Sequence, residues 1–328
     1  MDYLNFNHKL NDYLKDKEYS FYLYSLKYNI EFLEEAKKRI NPFKLVNSKV
    51  ITLKYEQDVY ETETIDLVFE FLNCIDKKYS QYFNQSIIDG SFAFLDSNEN
   101  LENLSDHSYI KQNKKLYDVL LNNNITDGER IVHEFFHYLN NKKYLSLPYF
   151  SELISIYMEN EYLDFIKTKG YSKTDIATTR LYRYLDYNYV CNKLYYDSIF
   201  LNLKKELGYI DESTYQFINE YKESLNFPDI SQNKYIAKLR NIAKNINKFN
   251  PDVSYRYFFG TAYSSYLLNN KDGLDRVLSL NDCLMKKNLS IIDSFEMLGL
   301  NYVSFEDAII ATNDYYKPSI LTYKLKKK

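Results

Sequence analysis

An H-E-x-x-H pattern at His133, Glu134 and His137 restricts the architecture more than any other stretch of this chain. On an α-helix, residues four apart lie on the same face, so both imidazoles can close on one ion. Two neutral imidazoles can hold Zn²⁺, and the carboxylate of Glu134 can accept a proton from a water that the metal activates. The alternative is that both histidines are hydrogen-bonded polar residues of a buried helix.

The residues around this pattern predict that the helix has two faces. Thr126 and Glu129 form an S/T-x-x-E capping box, which predicts a helix start near Asp127. An apolar stripe follows at helical spacing, made of Ile131, Val132, Phe135, Phe136 and Leu139. The histidines and Glu134 fall on the other face, so we expect one face in the core and one available for chemistry.

A catalytic zinc ion usually has three protein ligands, so a third must come from a neighbouring element. A short polar link after Asn141 leads to Pro148, which favours an antiparallel pair with the next helix. A rise of about 1.5 Å per residue puts Glu152 level with His137. We therefore predict Glu152 as the third ligand and Glu159, two turns further on, as a group that orients a ligand imidazole. Alternatively, both are solvated surface charges.

These two stretches resemble the zinc-binding core of the thimet oligopeptidase and oligoendopeptidase F family. In that family an H-E-x-G-H helix is followed by a helix reading roughly A-E-x-x-S-x-x-x-E, whose first glutamate is the third ligand. Glu152, Ser155 and Glu159 fall at the matching offsets. Phe136 stands where the family has glycine, and the segment between the second histidine and the third ligand is shorter than usual in the family. The resemblance covers roughly residues 55–315 and implies a shortened member, the catalytic half, whose site is more open or is completed by a second subunit.

A second element of the resemblance is Y-x-Y-x-x-G, matched by Tyr255, Tyr257 and Gly260. In the family, tyrosines near this element hydrogen-bond the oxyanion of the tetrahedral intermediate, which implies a catalytic role for Tyr255 and Tyr257. Aromatic packing is the alternative in a chain with 36 tyrosines. Lys248 stands where the family tends to have a histidine.

The scarcity of helix-breaking residues predicts a mainly α fold, since 328 residues include only 7 glycines and 5 prolines. We expect an amino-terminal helical segment over residues 1–54 and a helical zinc-peptidase domain over residues 55–328. The turn signal Asp89-Gly90 predicts a small β-hairpin or sheet at residues 91–95, before the H-E-x-x-H helix. In the resembled family a comparable edge strand pairs with the substrate backbone; a purely structural hairpin is the alternative.

Charge, cysteines and hydropathy bear on partners and location. A formal net charge of -3 makes no electrostatic case for nucleic acid or membrane binding. The three cysteines include no C-x-x-C pair, which is typical of free thiols in a reducing compartment. The amino terminus lacks the shape of a secretion signal, and no stretch has 18 uninterrupted apolar residues. We therefore expect a soluble, cytoplasmic protein.

Together these features predict a zinc-dependent oligopeptidase that hydrolyses short peptides with one Zn²⁺ per chain. His133, His137 and Glu152 would hold the metal, and Glu134 would act as general base. Manganese, iron or cobalt would suit the same ligands. Two alternatives stay open: an inactive zinc-containing module that binds peptides or other proteins, and a helical interaction protein without metal. We expect oligopeptide substrates as partners, and an oligomer is possible.

Overall fold

The computed structural model describes residues 2–15, 29–39, 55–96, 109–111, 114–121, 123–141, 148–221, 228, 230–249, 251–287 and 289–326. Most of these residues are helical, which confirms the prediction of a mainly α fold. No helix in these ranges combines the length and the apolar character that crossing a membrane requires.

The helices of these ranges follow one another with few strands between them. In chain order they are α1 (Tyr3–Lys15), α2 (Asn29–Arg39), α3 (Glu61–Ile75), α4 (Lys77–Ile88), α5 (Thr126–Asn141), α6 (Pro148–Thr168), α7 (Lys173–Leu207), α8 (Thr214–Glu220), α9 (Gln232–Lys244), a short 3-10 helix (Ile246–Lys248), α10 (Pro251–Leu268), α11 (Gly273–Leu284), α12 (Ile291–Met297) and α13 (Phe305–Lys326).

Three strands precede α5: β1 (Phe92–Asp96), β2 (Tyr109–Lys111) and β3 (Lys114–Leu121), in the order β1-β3-β2. Strand β1 lies where the hairpin was predicted, but it pairs in parallel with β3, with Phe92 opposite Tyr117. The antiparallel pair is β2 with β3. The prediction of a hairpin at residues 91–95 is therefore not supported, because parallel strands need a long connection that a local turn signal cannot reveal.

The chain divides into two compact units whose boundaries differ from the predicted domains 1–54 and 55–328. The first unit comprises residues 1–44 and 187–258, and the second comprises residues 45–186 and 259–328. Two of the boundaries fall inside the helices α7 and α10. A continuous helical pattern carries no sign of such a division, so composition and turn signals could not locate it.

In the first unit, a buried amide anchors the amino-terminal helix. The Asn7 side chain donates to the backbone oxygen of Ile210 and accepts from its backbone N–H, at 2.9 and 3.0 Å. Tyr187 stacks on Phe258 with the ring centroids 5.0 Å apart. Lys193 donates to both Asp197 and Ser254 at 2.9 Å. Paired polar groups and stacked rings thus link α1 to the segment after α7, and α7 to α10, within this unit.

In the second unit, α5 buries one face and keeps the other for polar groups. The predicted apolar stripe is confirmed: each of its residues is at most 2% exposed, namely Ile131, Val132, Phe135, Phe136 and Leu139. The stripe packs in one core with buried residues of α6, among them Leu153, Ile154 and Met158. His133, Glu134 and His137 remain half-buried on the opposite side.

The amino-terminal cap of α5 differs from the predicted capping box. Asn124 accepts hydrogen bonds from the Thr126 backbone N–H at 2.9 Å and the Thr126 hydroxyl at 2.6 Å. The Asn124 backbone N–H donates to Asp127 at 3.2 Å. The prediction that Glu129 caps the helix is therefore wrong. Its carboxylate turns inward instead, because the Arg183 guanidinium of α7 binds it.

A glycine allows the first turn of α5 to approach α6 closely. A methyl group at Gly128 would overlap the phenol ring of Tyr162. Tyr162 is only 2% exposed and has little room to move. The distance between α5 and α6 at this point therefore depends on the absence of a side chain at residue 128.

Replacing Gly128 with alanine should lower the free energy of unfolding by about 1–3 kcal/mol, because the added methyl forces the Tyr162 ring out of its position. Urea denaturation measures the loss. In a Tyr162→Leu background the same change should cost distinctly less, since the ring is gone. Equal costs in both backgrounds would show that the ring does not set the helix spacing.

Candidate metal centre

Two antiparallel helices build the centre. Contacts between α5 and α6 run in opposite order along the two helices. Gly128 lies against Tyr162, His133 against Glu159, and His137 against the start of α6. His133 and His137 are one helical turn apart on α5, so their rings face the same strip of α6.

The structure brings together the three predicted ligands. The Nε2 atoms of His133 and His137 are 3.0 Å apart. The Glu152 carboxylate lies 3.5 Å from Nε2 of His137 and 3.9 Å from Nε2 of His133. One ligand atom from each residue lies within 4.8 Å of the others, so this group can hold a metal ion. The alternative of Glu152 as a freely solvated charge does not fit this arrangement, since its side chain is only 20% exposed.

The other ring nitrogens are already occupied by protein groups. Nδ1 of His133 lies 2.8 Å from Oε2 of Glu159, and Nδ1 of His137 lies 2.8 Å from Oγ of Ser151. When Glu159 is ionised its carboxylate accepts, so Nδ1 of His133 donates and Nε2 of the neutral ring carries a lone pair. The Ser151 hydroxyl can accept from His137 in the same way. Both rings are thus held with Nε2 toward Glu152.

Glu159 is a buried group rather than a surface charge. It is 1% exposed, and α6 places it two turns beyond Glu152, where it meets His133. Burial raises the pKa of Glu159 to about 7, against the attraction of the Arg183 guanidinium. The contact with Nδ1 of His133 is the one expected of a group that orients a ligand imidazole.

The two imidazoles differ in their affinity for a proton. Burial lowers the pKa of His133 to about 4, and repulsion by His137 acts in the same direction. Burial also disfavours the charged form of His137, but the Glu152 carboxylate attracts the proton, and the pKa of His137 is raised above its ordinary value. Of the two rings, His137 therefore binds a proton more readily than His133.

Glu134 follows His133 on the polar face of α5 and is half-buried. Its negative charge raises the pKa of both imidazoles, so the carboxylate lies near the pair. Glu134 remains the residue that the sequence predicts as proton acceptor beside a bound metal.

The two predicted catalytic tyrosines belong to a different unit from the predicted metal ligands. Tyr255 and Tyr257 are half-buried on α10, in the first unit, whereas the three ligands belong to the second. Burial raises the pKa of Tyr255. Their catalytic role stays a prediction. Gly260, from the same motif, lies in the second unit, where an added Cβ would be 3.0 Å from the Glu152 backbone. This glycine lets α10 pack directly on the residue that supplies the carboxylate.

Three further residues of the centre escaped the sequence analysis. Ser151 could have been found, because it directly precedes Glu152 and so starts the same helical turn. Glu129 lies one turn before His133 on the polar face of α5, but it was assigned to a cap. Arg183 lies on α7, far along the chain, and no spacing rule links it to the histidines.

No protein-family model, curated protein or solved structure matches this chain. The resemblance to oligopeptidases therefore rests on the sequence motifs alone.

Replacing His137 with alanine should abolish binding of zinc, because it removes one of three donors from the convergent group. We expect about one zinc per wild-type chain by elemental analysis after dialysis. His8 is an exposed histidine on α1 and serves as the matched control. Loss of zinc from His8→Ala, or its retention in His137→Ala, would place the metal elsewhere.

Zinc binding should release more protons as the pH is lowered, because any proton on His137 must leave before Nε2 can bind the metal. Since the pKa of His137 is raised, affinity should fall as pH decreases from about 7 to 5. Calorimetry in two buffers with different ionisation enthalpies counts the protons. A pH-independent affinity with no proton release would contradict this protonation scheme.

Proposed function

We propose that the protein is a zinc-dependent metallopeptidase that hydrolyses peptide bonds in short peptides. One observation carries the proposal: two imidazole Nε2 atoms 3.0 Å apart point toward a carboxylate while both Nδ1 atoms contact other side chains. Two lone pairs facing each other at this distance are unfavourable unless a proton or a cation lies between them.

The donor set fits zinc with a position left open. Two imidazoles and one carboxylate are a ligand set of catalytic zinc, whereas structural zinc sites usually have four protein ligands. The histidine side chains are 14% exposed and Glu152 is 20% exposed, so solvent reaches the group.

Zinc, when bound, supplies Lewis-acid chemistry: it lowers the pKa of a water molecule and polarises a carbonyl oxygen. The chain supplies the proton transfer. Glu134 would accept a proton from the attacking water and pass it to the nitrogen of the leaving amine. Glu159 and Ser151 would keep the imidazoles in place during these steps, so that the site need not reorganise.

The resemblance supports two further parts of the proposal. Tyr255 and Tyr257 would donate hydrogen bonds to the oxyanion of the tetrahedral intermediate. Strand β1, at one edge of the three-stranded sheet, would pair with an extended peptide substrate.

Replacing Glu134 with glutamine should lower cleavage of a mixed peptide library by about a hundredfold or more, since the amide cannot accept the proton. Zinc content should stay at the wild-type level, because Glu134 is not among the ligands. The exposed carboxylate Glu220 offers a matched control as Glu220→Gln, with full activity expected.

Two outcomes would overturn the peptidase proposal. Cleavage that survives Glu134→Gln would exclude this general base. A wild-type protein that holds zinc and binds peptides without turnover would instead be a binding module.

A further inference from the structure

An arginine from α7 reaches the far side of the metal centre. Nε of Arg183 lies 2.5 Å from Oε1 of Glu129, and its Nη2 lies 3.4 Å from Oε2 of Glu159. Both carboxylates are almost fully buried, at 2% and 1% side-chain exposure. One planar guanidinium therefore bridges two buried acids, one on each of the paired helices.

The bridge ends on the same oxygen that binds His133. Oε2 of Glu159 contacts both Nδ1 of His133 and Nη2 of Arg183. The other oxygen, Oε1, is buried and finds no hydrogen-bond partner among the described residues. The two contacts of Oε2 therefore hold the Glu159 carboxylate in its orientation.

We infer that Arg183 is a positioning residue for the metal centre, acting through Glu159 on the ring of His133. Glu129 holds the guanidinium at Nε, the guanidinium fixes Oε2 of Glu159, and Oε2 fixes the ring through Nδ1–H. The inference rests on the proposed metal site, but it does not require that the site cleave peptides.

Arginine is suited to this position for a geometric reason. The guanidinium presents donors in a fixed fork, so one side chain can reach two acids at a set spacing. A lysine has a single ammonium and cannot hold both carboxylates in the same way. The positive charge also offsets one of two buried negative charges, which would otherwise be costly.

The test measures metal affinity, with Zn²⁺ alone in competition with a chelating dye. Arg183→Lys keeps the charge and should lower zinc affinity by about tenfold, because Glu159 is no longer fixed. Arg180→Lys is the matched control and should have no effect. Arg180 lies on the same helix, is similarly buried, and pairs with Asp164 at 2.8 Å instead of Glu159.

A double-mutant cycle separates positioning from general stability. If Arg183 acts through Glu159, then Arg183→Lys in a Glu159→Gln background should change zinc affinity by less than about twofold.

Cobalt(II) bound in place of zinc gives a second readout. Its visible absorption bands should shift in Arg183→Lys and Glu159→Gln, and stay unchanged in Arg180→Lys. Glu129→Gln, which releases the other end of the bridge, should lower affinity in the same direction.

The outcomes are distinguishable. Wild-type affinity in Arg183→Lys alongside a loss in Glu159→Gln would overturn the positioning role and leave the metal site intact. Additive losses in the double variant would overturn it too. A wild-type chain that binds neither Zn²⁺ nor Co²⁺ would overturn the proposed function itself.

Discussion

The contact between Nδ1 of His133 and Glu159 is the interaction on which the centre depends. It fixes the tautomer of one imidazole and, with the Ser151 contact to His137, aims both Nε2 atoms at Glu152. These partners all come from α6, and both histidines come from α5. The register of a single helix pair therefore sets the orientation of every ligand. Small residues maintain that register: Gly128 on α5, and Gly260 where α10 packs on α6.

Electrostatics gives the same centre a preference for a cation. Glu152 and Glu159 lie against the two imidazoles, and the charge of Glu134 acts on both rings. Arg183 pairs with the buried acids Glu129 and Glu159. Burial raises the pKa of Glu159 to about 7, and Glu152 raises the pKa of His137. In the metal-free site several carboxylates therefore lie close together, and their mutual repulsion is unfavourable. A divalent ion would relieve it, because it brings two positive charges next to these acids.

Local rules predicted much of the centre, and non-local packing supplied the rest. The i, i+4 spacing of the histidines and the helical rise were enough to place Glu152 and Glu159, because both helices are regular and the link between them is short. The apolar stripe of α5 followed from the same period. Arg183 could not be predicted, since its contacts depend on where α7 packs. The parallel pairing of β1 with β3 and the division inside α7 and α10 are likewise set by contacts between distant segments.

The central claim is that two rings of α5 and one acid of α6 bind a common zinc ion. Anomalous scattering at the zinc absorption edge, from a crystal grown with equimolar zinc, tests it most directly. The account predicts one strong peak per chain, about 2.0–2.2 Å from Nε2 of both histidines and from a Glu152 oxygen. A crystal with no peak there, or with the Glu152 carboxylate turned away from the rings, would contradict it.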